Sequence, residues 1–62
     1  MDPDTNLQEQ RALAASILRD FDADQPVDAV DAARLAELVL ALDGWIAKGG
    51  FLPARWSKNR KG

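Results

Sequence analysis

Five aspartates fall between positions 20 and 31 of this 62-residue chain, at spacings that suit a metal-binding loop. Counting from Asp20, side-chain oxygens stand at the first, third, fifth, ninth and twelfth places as Asp20, Asp22, Asp24, Asp28 and Asp31. Aliphatic Val27 takes the eighth place. A hard cation such as Ca²⁺ takes six to eight oxygens, and a twelve-residue loop between two helices supplies them in this order. The sixth place of such a loop wants glycine for a sharp turn, and here it is Gln25, followed by Pro26. A non-glycine residue at positive φ costs roughly 1 kcal/mol, and the proline restricts it further.

The stretch resembles EF-hand and dockerin-type loops, and dockerin-like loops accept aspartate at the last place. The missing glycine departs from that pattern. Turn and cap chemistry accounts for most of the same residues. Asp22 and Asp24 suit a turn, and Asp28 and Asp31 suit the start of a helix, where a carboxylate meets unpaired N–H groups. Asp20, at the negative end of a first helix, is left without such a reason. Calcium binding through these five residues stays an alternative, and no metal or cofactor is assigned.

Other site chemistry is sparse. The chain has no histidine and no cysteine, which removes the commonest general base and the thiolate ligands. Ser16 and Ser57 have no base to activate them, and Gly49-Gly50 suits a helix stop better than a phosphate cradle. The expectation is a protein that is not an enzyme.

Aromatic residues carry the next signal. Trp45, Phe51 and Trp56 fall within twelve residues around Gly49, Gly50 and Pro53. A helix reaching Gly-Gly stops there, and Gly50 is the expected left-handed cap. Phe51, Leu52, Pro53 and Trp56 are too apolar for a solvated tail, so they pack on the chain's own helices or on a partner. Trp56 is expected in the core, with a partner-binding anchor as the alternative.

Charge divides the chain. Residues 1–47 hold all ten acidic residues and three arginines, a balance of −7; residues 48–62 hold Lys48, Arg55, Lys58, Arg60 and Lys61 with no acid, a balance of +5. Such a tail suits phosphates or an acidic partner, or simply a solvated terminus.

Two helices must position these groups. At about 100° per residue, Leu7, Leu13, Ala14, Ile17, Leu18 and Phe21 share an arc of roughly 140°. Thr5 and Gln8 have capping-box spacing, which predicts a helix over about 6–21. Pro26 breaks the chain, and Asp28 caps a second helix over about 28–48. Its core face is Leu35, Leu38, Val39, Leu42, Trp45 and Ile46, in an arc of about 120°. A second face of Ala29, Ala33, Ala36, Leu40 and Ala47 would admit another helix closely, as a homodimer seam or partner surface.

The expected fold is therefore all-α: one small domain spanning 1–62, an antiparallel helical hairpin capped by an ordered aromatic segment at 51–56. Residues 1–4 and 58–62 are expected to be mobile. This length is near the lower limit for a self-sufficient core. The longest apolar run, Leu38–Leu42, is far short of a membrane span, and the acidic start is not a signal peptide.

The run from Asp31 to Trp56 resembles short uncharacterised proteins of actinobacteria and their bacteriophages. In those a helix of the type LAELVxALDxW is followed by GGFLPxxW. The resemblance implies a cytoplasmic protein, in the host cytoplasm if phage-encoded, and carries no activity.

The leading expectation is a small protein-interaction module, with Leu40, Phe51, Leu52, Trp56, Arg55, Lys58, Arg60 and Lys61 as partner-binding candidates. A nucleic-acid-associated protein using the basic tail and a calcium-binding helix-loop-helix are the alternatives.

Overall fold

The computed structural model describes residues 1–57. Two long helices, α1 (Pro3–Asp22) and α2 (Ala29–Ala47), pack side by side as a hairpin, and a single turn, α3 (Ala54–Ser57), follows. There is no strand among the described residues. The all-helical hairpin expected from periodicity is what the chain forms.

The first helix starts earlier than the Thr5 capping box predicts. Asp2 is the N-cap: its carboxylate accepts the Asp4 N–H at 3.0 Å and the Thr5 hydroxyl at 2.7 Å. Pro3 stands at the first helical position, where its fixed φ is suited and no N–H is missed. Residues 1–4, expected to be mobile, thus include the cap and the first two helical residues, and Pro3 is buried. Residues 58–62, also expected to be mobile, lie outside the described residues.

At its other end α1 closes with the double hydrogen bond of a Schellman turn. Asp24 N–H donates to the Phe21 carbonyl (3.1 Å) and Gln25 N–H to that of Asp20 (2.8 Å). Asp24 takes the left-handed conformation this requires, at φ 62°, a place aspartate tolerates better than most side chains. The second helix opens as expected on Asp28, whose carboxylate accepts the Val30 N–H at 2.8 Å.

The hairpin core is thin. Leu7, Leu38 and Leu42 are its buried hydrophobic side chains among the described residues. One polar residue joins them. Asn6, 7% exposed, donates from Nδ2 to the Leu38 carbonyl (3.1 Å) and accepts at Oδ1 from Gln10 Nε2 (2.7 Å). With its amide paired at both ends, Asn6 rewards one alignment of the helices, because any slip would leave buried polar atoms unpaired.

That alignment leaves α1 uncovered at its far end. The Leu38 carbonyl lies between Asn6 and Gln10, so Ala29, at the start of α2, falls about level with Ile17. The last turn and a half of α1, roughly 7 Å, therefore has no helix beside it. Leu18 and Phe21, expected on the core stripe, are accordingly 60% and 71% exposed. Their phase on the helix is right; α2 is simply not there to cover them.

Candidate functional site

The aromatic segment is positioned by the turn that ends α2. Gly49 N–H donates to the Ile46 carbonyl (3.0 Å) and Gly50 N–H to that of Trp45 (2.9 Å), a second Schellman turn. Gly49 is the residue with positive φ, at 92°. The left-handed position expected at Gly50 thus falls one residue earlier. Gly50 is needed for another reason: a Cβ there would collide with Cε2 and Nε1 of the Trp45 indole.

Trp45 also holds the chain beyond the turn. Its Nε1–H donates to the Phe51 carbonyl at 2.9 Å, and its ring meets the Phe51 ring edge-on, with centroids 5.5 Å apart. Phe51 remains 65% exposed, Leu52 is half-buried, and Pro53 is fully buried. Proline cannot cap α3 with a side-chain acceptor, and the cap comes from far away in sequence. Asp4 Oδ1 accepts the Ala54 N–H at 2.6 Å, tying the aromatic segment to the first turn of α1.

Docked this way, α3 sets Trp56 against an open groove between the long helices. Gln10, Val39, Leu42, Asp43, Ile46 and Trp56 line about 210 Å³ of mainly apolar space. Trp56, expected in the core, is 48% exposed and forms one wall; Pro53 occupies the buried place instead. Val39, also expected in the core, is 46% exposed because it sits at the groove's edge. Gln10 and Asp43 supply polar groups at an otherwise apolar site, a combination that suits an apolar side chain flanked by peptide groups.

A second concavity brings Asp2, Thr5, Glu9 and Arg34 together with apolar Met1, Leu38 and Ala41. Its charges already answer one another. Arg34 donates Nε and Nη2 to the two Glu9 carboxylate oxygens (2.8 and 3.2 Å), and this pair holds Glu9 below the ordinary carboxylate range and raises Arg34. The Thr5 hydroxyl, followed by backbone N–H donors, lowers Asp2 in the same way. Each shift has a structural cause at an exposed group. Among the described residues no buried side-chain polar atom lacks a partner.

The other sequence candidates are scattered. Asp20, Asp22, Asp24, Asp28 and Asp31 do not converge: among the described residues no three acidic side chains are close enough to hold a metal ion. Leu40, on the outward face of α2, is 71% exposed, and Ala29, Ala33, Ala36 and Ala47 beside it are exposed too. Arg55 is exposed on α3; Lys58, Arg60 and Lys61 lie outside the described residues. No described helix is long and apolar enough to cross a membrane.

Sequence reasoning missed Asp4 and Asn6. Asn6 was findable, since its phase on α1 falls between Leu13 and Ile17. Asp4 offered no local signal, because its partner is fifty residues away. The chain matches no protein-family model, no curated protein and no solved structure.

Proposed function

We propose that this protein is a small, non-enzymatic interaction module that docks another polypeptide in the groove beside Trp56. One observation carries the reading: a half-exposed tryptophan, on a turn capped by Asp4, stands at the wall of an apolar groove that the described residues leave open. Tryptophan is enriched among the residues that dominate binding energy, and a pre-positioned ring loses little freedom on docking. Leu40 and Phe51 are the other exposed apolar candidates among the described residues. Leu40 stands alone among alanines, and Phe51 is already engaged by Trp45. The groove therefore ranks ahead of both. The absence of histidine and cysteine and the pairing of Glu9 with Arg34 in the second concavity support the non-enzymatic part of the reading.

Immobilised protein tests this. Trp56→Ala is expected to lose capture of the partner while keeping its helicity, whereas Leu40→Ser retains capture. Equal capture by both variants would dismiss the groove as the docking surface.

A further inference from the structure

Building on that groove, we infer that its occupant is a second copy of this chain, packed antiparallel so that the overhanging end of α1 in each copy covers the groove of the other. Four features of the fold converge on this arrangement.

The first is thickness. The two long helices pack side by side in one layer and bury only Leu7, Leu38 and Leu42 as hydrophobic side chains among the described residues. A layer one helix thick cannot enclose side chains on both sides. A second layer supplies the missing side, as in four-helix bundles.

The second is area. Leu18, Phe21, Val39 and Trp56 are 60%, 71%, 46% and 48% exposed, so large apolar side chains stand in water both at the overhanging end of α1 and at the groove, and covering them removes apolar area from water.

Shape is the third. Leu18 and Phe21 lie within about 80° of Gln10 around α1, on the groove side, and project where α2 is absent. Each copy thus offers a convex apolar end and a concave apolar groove. The exposed end and the groove lie on either side of a level near Leu13 and Ala14 on α1. A two-fold axis through that level exchanges them, and such an interface uses the same surface on both copies. Ala14, on the groove side close to the axis, lets the two α1 helices approach.

Charge is the fourth. The hairpin tip carries Asp20, Asp22, Asp24, Asp28 and Asp31, and Arg19 is the one basic residue between positions 12 and 33. The opposite end is less acidic, with Lys48 and Arg55 standing among Asp2, Asp4 and Asp43. Antiparallel stacking sets tip against base; parallel stacking would set the two acidic tips together. The alanine face of α2 is the weaker seam, because Leu40 is its one large apolar side chain and its burial recovers little area.

Sedimentation of the full chain from micromolar to millimolar concentration tests the inference. A dimer is expected for the parent, weakening as salt is raised. Leu18→Asp and Phe21→Asp should give monomers with unchanged far-ultraviolet circular dichroism, since both side chains are exposed within the monomer. Leu40→Asp should remain dimeric. For orientation, Asp22→Cys and Lys48→Cys proteins, mixed and treated with a flexible bis-maleimide, should form a crossed heterodimer. A monomeric parent at millimolar concentration overturns the inference, as does dissociation by Leu40→Asp alone or preferential self-linking of the Asp22→Cys protein. A monomeric parent that still captures another protein, and loses it in Trp56→Ala, would keep the groove and remove the second copy as its occupant.

Discussion

The indole of Trp45 lies flush against Gly50, so close that no side chain fits at residue 50, while its Nε1–H reaches past to the Phe51 carbonyl. Adjacent glycines thus answer to different constraints. Gly49 supplies a backbone angle, and Gly50 supplies empty space. Alanine at Gly49 should cost about 1 kcal/mol, the strain of a left-handed residue. Alanine at Gly50 must displace the Trp45 ring and should cost more, roughly 1–3 kcal/mol as overpacking does. Thermal melts of the two variants rank them; a Gly49→Ala protein less stable than Gly50→Ala would reverse the assignment.

The two tryptophans should separate in the same way. Trp45 is half-buried, pairs with Phe51 and donates a hydrogen bond. Removing it should cost about 3 kcal/mol or more. Trp56 is 48% exposed, so Trp56→Ala should cost less than about 2 kcal/mol and leave a cooperative transition. Urea titration followed by circular dichroism measures both, and a Trp56→Ala chain without a folded baseline would return that residue to the core.

Asp4 is expected to act on α3 at a distance. Asp4→Ala removes the acceptor for the Ala54 N–H and should cost about 1 kcal/mol, as the loss of a helix cap does. Because Asp4 lies at the start of α1, the same change leaves the Asp2 cap intact. Hydrogen exchange at the Ala54 amide should accelerate in Asp4→Ala while exchange near Leu38 changes little. An unaltered Ala54 rate would mean that the carboxylate holds nothing.

Acid should loosen the hairpin through Glu9. The Arg34 hydrogen bonds hold the folded carboxyl below its ordinary value of 4.5. A lowered folded pKa contributes stability that is present above the unfolded value and lost as pH falls through the folded one. The loss therefore belongs below about pH 4.5, with Asp2 adding its own share below about 3.8. Glu9→Gln should flatten this part of the acid limb of melting temperature against pH. An acid limb identical to that of the parent would assign the effect to other carboxylates.

What could be read from the sequence was local. Asp28 as a cap, Leu38 and Leu42 as core, and two helices broken near Pro26 follow from spacing within a few turns. Failures arose where two distant segments had to be aligned. Phe21 has the phase of a core residue, and only the Asn6–Leu38 alignment reveals that α2 stops short of it. Trp56 has the size of a core residue, but the cap from Asp4 turns α3 so that Pro53 is covered instead. The aspartates between 20 and 31 looked collective because their spacing was regular. In the fold Asp24 serves a helix end and Asp28 a helix start, each as an individual.

The bond between Asp4 and Ala54 also constrains the order of folding. It closes a loop of fifty residues, a contact too remote to form before the hairpin has brought the two ends together. During synthesis α1 and α2 are complete before Ala54 exists, so the nascent hairpin passes through a stage in which the first turn of α1 lacks its tie to α3. A chain arrested at Gly50 would remain in that stage: helical, but melting gradually rather than in one step.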